Sequence, residues 1–171
     1  MALSEHDRKS IEAFREYIED SVAGDERYGP ATRHDSEDGS VLVTRFEAGT
    51  SCWFEVVLQP FAPQIRVGFS TNDRSMSEEV EQAIEEAGDT MEALVASGFR
   101  EAGLDWPDPV VEHGCEGEES FYFATPLDVE DLFDLDLEQM RNKVVRMLEG
   151  YLVAFGPGIE VGEFEEIEEE D

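Results

Sequence analysis

The chain has 171 residues and a formal net charge of -31, because 43 acidic residues face only 12 lysines and arginines. This charge disfavours nucleic acid and anionic membrane surfaces as partners, since both are bound by clustered basic side chains. No apolar run approaches the roughly 20 residues of a membrane span, and we find no signal peptide at the start. Two cysteines are too few for a disulfide framework, so we expect a protein of the reducing cytoplasm.

The cations are almost all arginines, since Lys9 and Lys143 are the only lysines. Arginine binds carboxylates through a planar, weakly hydrated fork, and molar salt screens the repulsion among the acidic groups. The composition resembles that of cytoplasmic proteins from salt-in halophiles, in particular haloarchaea. That resemblance implies a fold that loosens in dilute buffer and recovers in molar KCl. Leu, Ile, Val and Phe make up about a quarter of the chain, which is enough for a folded core.

Two helices are predicted in the first hundred residues from capping signals. Ser4 with Asp7 starts the first helix, and Gly24 ends it. Its apolar stripe is Ile11, Phe14, Ile18 and Val22. Ser75 with Glu78 forms a capping box for the second helix. The apolar stripe of this second helix is Val80, Ala83, Ile84, Ala87, Met91, Leu94 and Val95.

A third helix is predicted near the end of the chain. Asp136, with Gln139 three residues later, caps its start, and Gly156-Pro157-Gly158 stops it. Its apolar stripe is Leu137, Met140, Val144, Met147, Leu148, Tyr151, Leu152 and Phe155. Eight of the last twelve residues are acidic. We therefore expect one domain over residues 1–156 and a flexible acidic tail over residues 157–171.

Five strands are predicted from short apolar or alternating runs bounded by turn residues. They are Val41–Phe46, Cys52–Leu58, Gln64–Ser70, Val110–His113 and Ser120–Thr125. The polar stretch over residues 25–40 is interpreted as a loop. The element order is therefore α-βββ-α-ββ-α, which predicts a single α+β domain with an antiparallel sheet of about five strands.

This order of elements, together with the size and the acidity, resembles the type III secretion chaperones and related chaperone-like bacterial proteins. The resemblance covers roughly residues 5–155 and involves no sequence motif. It implies a dimeric protein that binds an extended client segment. For a chain of haloarchaeal composition, only the fold and the binding role carry over.

His113, Gly114 and Cys115 form the most suggestive local group for chemistry. With Cys52 or Glu112 they supply ligand types that zinc accepts, and Cys115 with His113 contains the side chains of a thiol nucleophile and its base. The spacing matches no standard zinc motif, and the neighbouring glutamates disfavour a thiolate. A glycine-flanked turn that carries a His and a Cys by chance is the favoured interpretation, and Cys52 is interpreted as a core residue.

The remaining candidates also have structural interpretations. Asp131, Asp134 and Asp136 contain carboxylates for calcium but lack the glycine of an EF-hand loop, so helix capping is favoured. Four aromatic residues are expected in the core or along a partner groove: Trp53, Phe61, Phe69 and Trp106. Phosphate-binding and nucleophile-elbow motifs are absent from the sequence. We assign no catalytic, cofactor-binding or metal-binding residue.

The element order and the lack of a catalytic signature predict a non-enzymatic protein-binding module, chaperone-like or an adaptor, in a high-salt cytoplasm. Its expected partner is another protein or a second copy of itself. The client is expected on an exposed sheet edge or between the sheet and the last helix. The alternative is a small enzyme or a ligand- or metal-binding domain. Its site would lie near His113 and Cys115, with Trp53 on a neighbouring strand.

Overall fold

A computed structural model describes residues 3–49, 52–72, 78, 82, 85–86, 90–106, 109–116 and 120–160. The helices are α1 (Glu5–Val22), α2 (Met91–Glu101) and α3 (Glu138–Glu160). The strands are β1 (Ala31–Arg33), β2 (Leu42–Gly49), β3 (Cys52–Gln59), β4 (Gln64–Thr71), β5 (Glu112–Glu116) and β6 (Ser120–Asp128). A 3₁₀ helix at Leu132–Asp136 precedes α3.

The strands form one antiparallel sheet in the order β1-β2-β3-β4-β6-β5. The predicted α+β class and element order are confirmed, but the described part of the sheet has six strands, one more than predicted. The additional strand, β1, lies inside the stretch interpreted as a loop. Its polar residues give no alternating pattern, and its pairing with β2 depends on the tertiary position of the chain.

Helices cover one face of the sheet. The residues of β3 alternate between buried and half-buried along the whole strand, as expected for a strand with one face in the core. The ring of Phe155 on α3 stacks on Phe69 of β4 with 5.2 Å between centroids. Tyr151 on α3 shares a hydrogen bond of 2.7 Å with Thr125 of β6. The space between the sheet and α3 is therefore filled by core side chains.

The first helix begins as predicted, since Ser4 and Asp7 form a reciprocal capping box. The buried side chain of Arg15 fixes this helix to the segment between β1 and β2. Its guanidinium donates two hydrogen bonds of 2.9 Å to the carboxylate of Asp35 and one of 3.1 Å to the carbonyl of Val43. These bonds to Arg15 lower the pKa of the Asp35 carboxyl below its ordinary value.

Helices α2 and α3 pack against each other where both contain a glycine. A Cβ atom on Gly98 would overlap the carbonyl oxygen of Gly150, so only glycine permits this close contact. The helix predicted from Ser75 through Val95 is wrong as one continuous element, because Thr90 caps a new helix at Met91. Thr90 accepts a hydrogen bond from the backbone N–H of Ala93, which marks a helix start. Residue Ser75 and most of the predicted stripe before Thr90 lie outside the described residues.

Two predictions about the third helix are wrong. Helix α3 continues through Gly156-Pro157-Gly158 and ends at Glu160. A proline removes one hydrogen bond, here to the carbonyl of Val153, and near a helix end this single loss does not stop the helix. Asp136 does not cap α3; its carboxylate instead accepts a hydrogen bond of 3.0 Å from the hydroxyl of Ser10 on α1. The acidic tail beyond residue 160 lies outside the described residues.

Candidate functional site

The second face of the sheet is not covered by any described element, and we call it the open face. It consists of the strand residues that point away from the helices, centred on the row Arg45, Glu55, Gly68, Ala124 and Glu112. These five residues lie directly opposite one another on β2, β3, β4, β6 and β5. Because strands lie about 4.8 Å apart, the row spans roughly 19 Å.

Two ion pairs lie on the open face. The Nε of Arg45 is 3.1 Å from a carboxylate oxygen of Glu55, and the Nε of Arg66 is 2.8 Å from a carboxylate oxygen of Glu112. The guanidinium of Arg45 also lies 4.5 Å from the centre of the Trp53 ring. Among the described residues, the centre of the open face thus holds two arginines and two glutamates, whose charges balance, in a molecule of net charge -31.

Small residues form a hollow between the two ion pairs. A Cβ atom on Gly68 would overlap the carbonyl oxygen of Phe123 and lie 2.7 Å from the Cα atom of Ala124. The absence of that atom and the small side chain of Ala124 leave a cavity of about 90 Å³. The walls are Val43, Val57, Arg45, Arg66, Ser70 and Tyr122. The cavity is thus lined by apolar surface and by the inner sides of both ion pairs.

A second, wider cavity of about 360 Å³ adjoins the first at Arg45. It is lined by Thr32 and His34 at the β1 end, by Arg45 and Glu47 of β2 and by Trp53 of β3. The indole N–H of Trp53 is buried and has no hydrogen-bond partner among the described residues. The cation–π contact of Arg45 with Trp53 therefore separates two hollows on one face.

The edges of the sheet offer less surface to a partner than the open face does. The edge strands β1 and β5 have three and five residues, whereas the strands between them have eight or nine. Short edge strands limit pairing with another chain. The open face is therefore the larger surface for contact with a partner.

The shifted pKa values of the described residues are concentrated on the helix side of the sheet. Hydrogen bonds from Arg33 lower the pKa of Glu12 on α1, and hydrogen bonds to Glu19 and Glu12 raise the pKa of Arg33. Burial raises the pKa of the Tyr151 hydroxyl well above its ordinary value. These groups stabilise contacts between elements, and we assign them no chemical role.

The described members of the predicted group around His113 do not come together. His113 is exposed at the helix side of the sheet, where its ring stacks on Phe123 with 4.4 Å between centroids. Cys52, buried as predicted, lies three strand spacings away on β3, at roughly 14 Å. The carboxylate of Glu112 binds Arg66 on the opposite face. The side chain of Cys115 lies outside the described residues.

The alternative hypothesis required Trp53 and His113 to lie on neighbouring strands, but they do not. Their strands are separated by β4 and β6, and their side chains lie on opposite faces. Three of the four predicted aromatics also have separate positions: Phe69 is in the core, Trp53 lies on the open face, and Trp106 packs 5.6 Å from Phe99 of α2. Within the described part of the chain, no three metal-ligating side chains come together.

The aspartates around the 3₁₀ helix have structural roles. Asp131 caps this helix by accepting a hydrogen bond of 2.9 Å from the N–H of Phe133, which confirms the capping interpretation there. The carboxylate of Asp136 lies near two basic side chains: its Oδ2 is 3.6 Å from the Nε2 of His6, and its Oδ1 is 3.7 Å from a terminal guanidinium nitrogen of Arg141. The sequence reasoning missed the open face, although its signal was present. Most alternate residues of β2, β3 and β4 are polar or small, and two of them are arginines in an acidic chain.

No family model matches this chain, and neither a curated protein nor a solved structure matches it. None of the described helices combines the length and the apolar character that crossing a membrane requires.

Proposed function

We propose that this protein is a non-enzymatic protein-binding module of a high-salt cytoplasm, and that its binding surface is the open face. The observation that carries the proposal is a sheet face that no described element covers, with a partly apolar centre in which the described arginines and glutamates balance. Molar salt screens the long-range repulsion between acidic proteins, but charges enclosed in an interface are screened much less, so a neutral surface is where a partner binds at the least electrostatic cost.

The composition of the open face also favours protein contact. Trp, Tyr and Arg are the residue types enriched where protein interfaces concentrate their binding energy. The open face presents Tyr122, Arg45 and Arg66 around the hollow at Gly68, and Trp53 beside Arg45 in the adjoining cavity. The arginines are held in place by Glu55 and Glu112, so they lose little conformational freedom when a partner binds.

A photo-crosslinking amino acid at two glutamine positions tests the proposal in living cells of the native host. Gln59 lies on the open face, and the matched control, Gln139, is exposed on α3. We expect Gln59 to crosslink to one abundant protein, either a second copy or another chain, and Gln139 to give no such product. Equal crosslinking from both positions, or none from Gln59, would overturn the proposal.

A further inference from the structure

We propose that the partner of the open face is a second copy of this chain, packed sheet against sheet about a two-fold axis along β4. This inference rests on the proposed function, because it names the occupant of the same surface. In such a dimer β4 lies opposite its own copy. A strand to the left of β4 in one copy lies opposite the strand at the same distance to the right of β4 in the second copy. Strand β2 therefore faces β5, and β3 faces β6.

The order of charges across the open face carries the argument. From β2 towards β5 the signs are positive at Arg45, negative at Glu55, positive at Arg66 and negative at Glu112. The backbone of Arg66 belongs to β4, but its guanidinium extends over β6 and binds Glu112 of β5. Read in the opposite direction, the same row is negative, positive, negative and positive.

A two-fold axis places the row of charges of one copy opposite the reversed row of the second copy. Arg45 of one copy then lies opposite Glu112 of the second copy, and Glu55 lies opposite the guanidinium of Arg66. Every charge of the row meets its opposite, which is the self-complementarity that a two-fold interface requires. Like charges placed opposite each other across an interface cost several kcal/mol, so this order selects a second copy as the partner.

The uncharged residues of the open face follow the same symmetry. Trp53 and Tyr122 occupy equivalent places on β3 and β6, since both lie opposite Ser70 of β4. The axis therefore places the indole of one copy opposite the phenol of the other, an aromatic contact that interfaces favour. Val57 and Pro126 are related in the same way through Arg66. Apolar residues thus meet apolar residues.

The size of the open face is sufficient for a stable dimer. At about 4.8 Å between strands and about 3.3 Å per residue, its strands cover roughly 600 Å² of flat area. Standard interfaces bury about 600–1,000 Å² on each partner. Gly68 lies on the axis, so the hollow at this position faces its own copy and allows the two sheets to approach closely.

Exchanging the charges within one ion pair tests the dimer without changing the net charge. Variant A carries Arg45→Glu with Glu55→Arg, and variant B carries Arg66→Glu with Glu112→Arg. Each variant keeps an ion pair within its own chain, yet either exchange places like charges opposite each other in a dimer. Light scattering in molar KCl should give twice the 19.2 kDa mass of the chain for the wild type. Each variant alone should have the mass of a monomer, with self-association at least about a hundredfold weaker.

Mixing provides the decisive control. The charge rows of A and B are complementary, so an equal mixture of the two monomers should form a one-to-one heterodimer. The variant with all four substitutions should form a homodimer again. Because only folded chains can recover association on mixing, misfolding cannot explain this pattern. A matched exchange on α1, Glu5→Lys with Lys9→Glu, should leave the wild-type mass unchanged.

The proposal is overturned if A or B alone dimerises as the wild type does, or if their mixture stays monomeric. A monomeric wild type whose Gln59 position crosslinks to a different protein would overturn the second copy as the partner and leave the proposed function intact. A monomeric wild type without any crosslink from Gln59 would overturn both.

Discussion

The two faces of the sheet use the same strands for different purposes. On the covered face, Phe54, Phe69 and Phe123 are at most 1% exposed and pack under α3. On the open face, the residues next to them along the same strands are Trp53, Glu55, Gly68, Ser70, Tyr122 and Ala124, a mixture of polar, aromatic and small side chains. One face contributes the burial that stabilises the fold, and the other keeps its polar groups paired without covering them.

Charge pairing also differs between the two sides. On the helix side, the guanidinium of Arg33 lies within 2.9 Å of both Glu12 and Glu19, so one cation serves two acids. On the open face, among the described residues, Arg45 pairs with Glu55 and Arg66 pairs with Glu112. The helix side is thus left with excess negative charge that needs salt, whereas the described arginines and glutamates at the centre of the open face balance one another. This difference indicates which surface is suited to contact with another acidic protein.

Removal of salt should have the largest effect. In dilute buffer the screening length grows to about 30 Å, and repulsion among the acidic groups acts on the whole molecule. We expect the near-UV circular dichroism and the cooperative thermal transition to disappear, and to return in molar KCl. Full cooperative folding in dilute buffer would contradict the halophilic interpretation.

The next largest effect should come from the covered face. Phe69→Ala removes a ring that contacts Phe54 and Phe155, and we expect it to lower the free energy of unfolding by about 3–5 kcal/mol. Val57→Ala, on the open face of the neighbouring strand, should cost about 1 kcal/mol in the monomer. Urea unfolding in molar KCl, at concentrations below association, gives both values. Equal losses would contradict the distinction between the two faces.

Asp35→Asn should cause a smaller, pH-dependent loss. It leaves the buried guanidinium of Arg15 without its counter-charge, and we expect about 2–3 kcal/mol at neutral pH. The folded-state pKa of Asp35 is lowered, so its contribution is complete above the ordinary pKa and is lost as pH falls through the folded value.

The stability difference between the wild type and Asp35→Asn should therefore shrink below about pH 4, as followed by urea unfolding in molar KCl. Asp38, whose pKa is lowered to about 2 by hydrogen bonds from Ser40 and Ser36, provides an exposed control. Asp38→Asn should cost much less at neutral pH. A difference for Asp35→Asn that is constant from pH 7 to pH 2 would argue against this ion pair.

The smallest effect on stability should come from the charge exchange on the open face. Arg45→Glu with Glu55→Arg keeps an ion pair between the same two half-buried positions and the same net charge, so we expect the free energy of unfolding of the monomer to change by only about 1 kcal/mol. The same variant should lose self-association, as light scattering measures. A large loss of stability would show that this pair holds the fold together and is not reserved for binding.

The sequence predicts the fold class because strong local signals agree with it. The capping box at Ser4, the stripe of α1 and the strands from Cys52 to Ser70 all have the expected places. The errors occur where tertiary contacts decide the local structure. Strand β1 depends on pairing with β2, and Thr90 divides a stretch whose apolar spacing looks continuous.

The candidate site could be predicted only in part. The alternation of polar and apolar residues in β3 indicates two different faces, but not which elements cover them. Arg66 and Glu112 form an ion pair although their strands are far apart in the chain. The strand order that brings them together cannot be predicted from the sequence of either strand. Proximity in sequence favoured a site at His113 and Cys115, but the ring of His113 stacks on Phe123 and the carboxylate of Glu112 binds Arg66 on the opposite face.

The two tryptophans allow the most direct test of the central claim, because Trp53 lies on the open face and Trp106 lies beside Lys143 on the helix side. Two single-tryptophan variants, Trp106→Phe and Trp53→Phe, report the two sides separately. Acrylamide quenching of fluorescence is measured in molar KCl as the protein concentration rises through the association range. We predict that Trp53 becomes protected on association while the quenching of Trp106 stays constant. Protection of Trp106, or association that leaves Trp53 as accessible as in the monomer, would contradict the open face as the binding surface.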